Sequence, residues 1–161
     1  EICVRGPLVM KGYKDMPEQT AEAFAGDWLH TGDVGKLDEE GFLYIVDRTK
    51  DMIVTGGFNV FPREVEDVLA THEAVGQVAV IGVPDEQWGE AVKAVVVLRP
   101  GIAPAPDLVQ QLQALVKQAK GSVQAPKSVD FVDAIPTTPV GKPDKKALRA
   151  RYWEGSERGV G

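Results

Sequence analysis

Three segments of the chain hold residue types that could do chemistry. The first is Trp28-Leu29-His30-Thr31-Gly32-Asp33. A carboxylate beside a glycine can accept hydrogen bonds from two neighbouring hydroxyls, as on a ribose. An ordinary turn aspartate explains the same residues, and taken alone this segment favours it. The second segment runs from Asp47-Arg48-Thr49-Lys50-Asp51 to Gly56-Gly57. Four charges in five residues stay solvated and suit a hinge between two bodies. The paired glycines let another backbone or a thin ligand approach closely. A charged linker followed by a hairpin turn is the plain alternative. The third segment is Pro136-Thr137-Thr138-Pro139-Val140-Gly141-Lys142-Pro143. Its prolines and glycine hold a loop in defined shapes, and the Lys142 ammonium could reach an anionic centre. A helix-entry turn with a solvated lysine reads equally well.

Other chemistries find no support. His30 and His72 are too few and too far apart in sequence for a metal reading, and neither receives a catalytic role. Cys3 is the single cysteine, which excludes an internal disulfide and any Cys-based zinc site, and no metal site is expected. Neither a G-x-S-x-G nucleophile turn nor a G-x-x-x-x-G-K-[ST] phosphate loop occurs.

The 161 residues suffice for one ordinary domain, or for one domain and a piece of another. Hydrophobic residues are 43% and charged residues 26%, which speaks against disorder, collagen and coiled coil. An apolar run such as Ala94–Leu98 is far too short for a bilayer span. No signal peptide is visible, and the chain opens on Glu1 rather than Met, as a fragment or processed chain would. Net charge is 18 − 24 = −6, and all of it lies early: residues 1–47 hold 4 basic and 10 acidic groups, leaving 14 and 14 for the rest. Nucleic acid is a poor partner for such a chain, because phosphate binding needs a basic face. The one basic cluster, Lys142, Lys145, Lys146, Arg149 and Arg151, reads as the solvated face of a helix.

The elements that must position these residues change character near residue 48. Residues 1–47 read as short strands and turns, with strands at Ile2–Val4 and Phe42–Val46. Beyond them, Met52–Thr55 and Asn59–Phe61 flank a glycine turn, which predicts a small hairpin. Pro62 opens a helix whose Val65, Val68 and Leu69 share one face. Gln77–Val83 and Glu90–Leu98 are β-branched runs. Asp107 is the expected N-cap of a second helix that ends at Gly121. Val129–Val132 predicts a strand and Lys145–Trp153 a last helix. The order helix, strand, strand, helix, strand, helix predicts an α+β fold with a small mixed sheet and packed helices. The predicted domains are a β-rich, incomplete 1–48, a compact 49–153, and a disordered tail at 154–161.

The order WLHTGD, GFLYIVDRTKDMIVTGGFNVFPREVE, VAVIGVPDEQWGEAVKAVVV and PKSVDFVDAIPTTPVGK closely resembles the carboxy-terminal part of adenylate-forming enzymes, the ANL superfamily. The resemblance covers roughly residues 2–152, and the GGFNVFPREVED wording is most similar to fatty-acyl-CoA ligases. It implies that residues 1–48 end a large adenylate-binding domain and that residues 49–153 form its mobile lid. It implies roles residue by residue. Asp33 would hold the ribose hydroxyls of ATP or the adenylate, and Arg48 would also contact the nucleotide. Lys50 would be the hinge. Lys142 would bridge the acyl carboxylate and the α-phosphate. Gly56 and Gly57 would line the pantetheine tunnel of coenzyme A, Trp88 would pack near its adenine, and Lys127 would meet its phosphates. Ala125 departs from related ligases, which often place a basic residue nearby.

The resemblance further implies ATP with Mg2+, coenzyme A and a carboxylic acid as reactants, and a missing N-terminal domain as the chain's partner. It leaves room for peripheral membrane association, since long acyl chains partition into lipid. A cytoplasmic location is expected. A fatty acid is the expected substrate, with an aryl or other small carboxylic acid as the alternative. A peptide-synthetase adenylation domain fits less well, since the chain ends in EGSERGVG rather than running into a carrier protein. A free-standing nucleotide- or CoA-binding module would have no need of Lys142. The fragment alone is expected to be inactive.

Overall fold

The computed structural model describes residues 1–154, so of the predicted disordered tail only Glu154 falls among the described residues. The chain divides into two compact units, the first Glu1–Lys50 and the second beginning at Asp51. The division falls inside a 3-10 turn, Thr49–Asp51, which directly follows the strand that ends at Arg48.

The first unit holds β1 (Cys3–Val4), α1 (Pro17–Ala23), β2 (Phe24–Ala25), β3 (Trp28–His30), β4 (Asp33–Leu37) and β5 (Leu43–Arg48). Strands β1, β3 and β2 form one small antiparallel sheet, and β4 and β5 form a separate two-stranded ribbon. Helix α1 corrects the expectation of strands and turns alone. Pro17 takes the first helical turn, where its missing N–H costs nothing, and Glu18, Ala21, Glu22 and Ala23 are compatible with helix. The helix buries none of its residues, so it leaves no hydrophobic stripe for a sequence reading to find. Asp33, expected in a turn, instead opens strand β4.

The second unit contains β6 (Ile53–Thr55), β7 (Phe58–Val60), α2 (Pro62–Leu69), β8 (Val75–Asp85), β9 (Gly89–Leu98), α3 (Pro106–Lys120), β10 (Ser128–Phe131) and α4 (Lys145–Ala150). This is the predicted order of helices and strands. Strand β9 is central: β8 runs antiparallel along it, and β10 lies parallel to it from Ser128↔Lys93 to Phe131↔Val96. The parallel pair is joined through α3, as a crossover requires. The hairpin β6–β7 turns on Gly56 and Gly57 at φ 56° and 82°, a pair of positive angles that L side chains rarely adopt.

Alternate residues of β8 and β9 point to opposite faces, and each face has its own core. On one, Val80, Val92, Ala94 and Val96 pack with Val65 and Leu69 of α2 and with Leu108, Leu112 and Val116 of α3. On the other, Ala79, Ile81, Val83, Ala91 and Val95 pack with Ile135 and with Leu148 of α4.

Two helix ends differ from expectation. The N-cap of α3 is Ala105, which makes no side-chain cap, because Pro106 takes the first helical position and moves Asp107 into the first turn. There its carboxylate still suits the helix dipole. Helix α4 stops at Ala150, three residues before the predicted end at Trp153, and Asp144 caps its start by accepting from the Ala147 N–H at 3.0 Å. No described helix is long and apolar enough to cross a membrane.

Candidate functional site

Asp33 and Arg48 lie directly opposite each other on β4 and β5. Arg48 Nε forms an ion pair with Asp33 Oδ1 at 3.1 Å, with both side chains partly open to solvent. The loop before Asp33 is stitched to the first residues of the chain. Gly32 N–H donates to Glu1 Oε1 at 2.9 Å, Thr31 Oγ1 donates to the Ile2 carbonyl at 2.8 Å, and Asp33 N–H donates to Thr31 Oγ1 at 3.1 Å. His30 Nδ1 meets Glu1 Oε2 at 2.6 Å, and this bond above all holds the Glu1 carboxyl below the usual range, with partial burial opposing it.

His30 does approach other ligating groups of the first unit. Pairing of β1 with β3 sets Cys3 opposite His30, and Glu1, Cys3 and His30 offer ligand atoms within 4.8 Å of one another. Separation in sequence does not limit approach across a ladder. Hydrogen bonds within the cluster account for its geometry.

In the second unit, the residues expected to meet coenzyme A gather at one place. Gly56 N–H donates to the Trp88 carbonyl at 2.9 Å, and a Cβ added at Gly56 would lie 2.5 Å from the Trp88 ring. The glycine therefore lets the indole close over the hairpin turn. Beside it opens a pocket of about 220 Å³, lined by Thr55, Phe58, Trp88, Ser122, Val123 and Lys127. Lys127 is exposed, and its N–H donates to the Val92 carbonyl at 2.8 Å. The Gln113 amide of α3 donates to the carbonyls of Pro126 and Lys127 at 3.0 and 3.2 Å, which fixes this segment. Ala125 packs against the hydrophobic core and so offers nothing polar here. Gly57 lies in the adjoining turn with open space where its Cβ would be.

Lys142 lies elsewhere on the unit, in the loop leading into α4. The loop is a tight hairpin: Thr138 N–H donates to the Lys142 carbonyl at 2.7 Å, and Gly141 N–H to that of Thr138 at 2.8 Å. At its foot Thr137 bridges Pro143, and Asp144 N–H donates to the Pro136 carbonyl at 2.7 Å. Lys142 is exposed at the tip beside Val140. Lys50 is an exposed residue of the 3-10 turn at the division between the units.

The basic cluster is not the uniformly solvated face expected of it. Lys145 Nζ lies 2.8 Å from Glu66 Oε1, and Arg149 Nη1 lies 3.0 Å from Asp51 Oδ1, with all four side chains at most 15% exposed. Positions four apart on a helix share a face, and this face points inward. Lys142, Lys146 and Arg151 stay exposed.

Sequence reasoning missed Thr55, Phe58, Ser122 and Val123 as pocket residues. Phe58 had a readable signal, an aromatic residue directly after the two glycines. Ser122 and Val123 had none, because they reach the pocket only through the packing of α3.

Residues 64–142 match the family of the AMP-binding enzyme C-terminal domain. The fold and this match identify the chain as the carboxy-terminal part of an adenylate-forming enzyme of the ANL superfamily. It is similar to the medium/long-chain-fatty-acid–CoA ligase FadD8 of Mycobacterium tuberculosis, at 63% identity across 100% of this chain and 29% of that protein. A long-chain-fatty-acid–CoA ligase of Bacillus subtilis is 49% identical across 96% of this chain and 26% of that protein. The amide bond synthetase McbA from Marinactinospora thermotolerans superposes with a TM-score of 0.82 at 47% identity, across 93% of this chain and 30% of McbA. The chain thus spans less than a third of the length of these relatives.

Proposed function

We propose that the chain is the lid-bearing part of an ATP-dependent ligase that activates a fatty acid as an acyl adenylate and transfers it to coenzyme A. The observation that carries this reading is the division of labour within the second unit. A lysine hairpin enters α4 on one face of the sheet, and an aromatic-rimmed pocket is built from the β6–β7 turn, the β8–β9 turn and the segment after α3.

In the first step a carboxylate oxygen attacks the α-phosphorus of ATP, an O–P bond forms and pyrophosphate leaves. Two anions must meet, so a cation between them stabilises the transition state more than the ground state. The Lys142 ammonium is that cation, and the hairpin hydrogen bonds limit where it can stand. Asp33 and Arg48 hold the nucleotide, the carboxylate accepting from the ribose hydroxyls. Magnesium accompanies the triphosphate, and none of these residues is assigned to it. In the second step the thiol attacks the acyl carbon, the C–S bond forms, AMP leaves and the thiol proton is lost. The pocket suits coenzyme A by its chemistry. Phe58 and Trp88 offer aromatic faces, Lys127 offers a cation for phosphate, and the Gly56–Gly57 turn leaves room for a thin chain. Rotation about Lys50 would exchange the Lys142 hairpin for this pocket.

The fatty acid is taken from the names of the relatives, and an aryl or small acid is the competing substrate class. The remaining body of the enzyme is the partner this reading needs, and residues 1–161 alone are expected to give no turnover. The reading implies a cytoplasmic enzyme that meets membranes only at their surface, to collect long acyl chains. The test is pyrophosphate release by the full-length parent with a panel of acids. Release should depend on medium or long acyl chains and fall about 100- to 1,000-fold in Lys142→Ala, the range for losing one preorganised charge-stabilising group. Release that survives the substitution would remove the reading.

A further inference from the structure

We propose that the Asp51–Arg149 ion pair is a latch that makes the Lys142 hairpin follow the hinge, so that Asp51 and Arg149 are positioning residues for acid activation and not for thiol transfer. The proposal rests on the roles given above to Lys142 and Lys50.

Helix α4 has six residues, too few to be stable by itself. Within its six residues, Leu148 in the core, Lys145 on Glu66 and Arg149 on Asp51 hold it, and just past its end Tyr152 and Trp153 donate to the Asp130 carboxylate and the Gly82 carbonyl. The first two join it to the body of the unit. Glu66 Oε1 also accepts the Val80 N–H at 2.8 Å, so the Lys145 contact is tied to α2 and β8. The third reaches the 3-10 turn that contains Lys50.

Arg149 and Asp51 are 98 residues apart in sequence, and their side chains are 13% and 15% exposed. Burying an ion pair is a poor way to gain stability, because desolvation offsets most of the attraction and apolar side chains of similar size often do as well. What such a pair supplies is direction: a guanidinium N–H and a carboxylate oxygen must align to satisfy each other.

The path from Arg149 to Lys142 is continuous and stiff. It runs along α4 to Asp144, whose carboxylate caps the helix and whose N–H closes the foot of the hairpin, and then through the Thr137–Pro143 bridge to the tip. None of the residues lining the pocket belongs to this path. Loosening Asp51 from Arg149 should therefore misplace the Lys142 ammonium and leave the pocket intact.

The test uses the full-length parent and two half-reactions: acid-dependent exchange of pyrophosphate into ATP, and single-turnover transfer from preformed acyl adenylate to coenzyme A. Asp51→Asn and Arg149→Met are expected to lower kcat of the first about 10- to 100-fold, the scale set by misplacing a catalytic group by about 1 Å. KM for ATP and the transfer rate should stay within about twofold of wild type, the size of a purely local effect. Arg149→Lys, which keeps a cation but loses the planar fork, should recover part of the loss. Val116→Ala, a cavity in α3, controls for instability. An equal fall of both half-reactions, as in that control, would overturn the latch, and so would no change in either. Lys142→Ala measured alongside separates the failures. Intact exchange in that variant overturns the functional reading and the latch with it. Collapsed exchange there, with Asp51→Asn unaffected, overturns the latch alone.

Discussion

Leu37, Phe42, Leu43, Tyr44 and Ile45 of the first unit are 51–68% exposed, while Ile53, Ile81, Leu112 and Leu148 of the second are at most 1% exposed. Among the described residues every buried hydrophobic side chain belongs to the second unit, and the only buried residue of the first is Asp47. Charge divides less sharply: residues 1–50 hold 6 basic and 10 acidic groups, net −4, against 12 and 14, net −2, in residues 51–161. The second unit has the two-sided core of an independent domain. The first has an apolar ribbon of the kind that packs against further protein, in keeping with relatives of which this chain spans 29% or less.

Dissection is the harshest way to break this contrast. Residues 51–161 produced alone should unfold cooperatively in urea, followed by circular dichroism, whereas residues 1–50 alone should show no transition. A cooperative transition in the shorter piece would mean that its exposed ribbon suffices for folding. Single substitutions sharpen the same point. Leu148→Ala should cost about 2–5 kcal/mol in denaturant titration, because a filled core site leaves a cavity. Ile45→Ala should stay within about 0.5 kcal/mol, as surface changes do.

A further probe is a polar cluster inside the second unit. Tyr152 Oη donates to Asp130 Oδ2 at 2.6 Å, Lys93 Nζ donates to Asp130 Oδ1 at 2.8 Å, and the ammonium sits 4.8 Å from the centre of the Tyr152 ring. Burial acts to raise the Asp130 carboxyl, but the bonds from Lys93 and Tyr152 outweigh it, and the group sits below its ordinary value. Its contribution is therefore present above about pH 4, the unfolded value, and is lost as pH falls through the lower folded one. Burial first, and then the bond to Asp130, push Tyr152 up to about 12, so its contribution is lost as pH rises from about 10 towards that value. Tyr152→Phe should cost about 1 kcal/mol at neutral pH and flatten both limbs of the stability–pH profile. A profile unchanged in the variant would mean that the cluster does not couple to folding.

Much of this architecture was legible because its causes are local. Pro62 opens α2, the β-branched runs become β8 and β9, Gly121 closes α3, and two glycines make the β6–β7 turn. Helix α1 was illegible because it buries nothing and so carries no apolar period. Asp107 was misassigned because Pro106 competes for the same helix start. In the site, Gly56, Trp88 and Lys127 drew attention through unusual residue types in a recurring order, while Ser122 and Val123 carry no such mark.

By itself the sequence determined which residues could carry a charge, turn the chain or line a core, since these properties follow from side-chain chemistry and from spacing along one strand or helix. The tertiary structure alone decided which distant charges are neutralised. Lys145 and Arg149 look no different in sequence from Lys146 and Arg151. Only the approach of Glu66 and Asp51 turns two of them into part-buried anchors, because an ion pair depends on distance and desolvation, and both arise from packing.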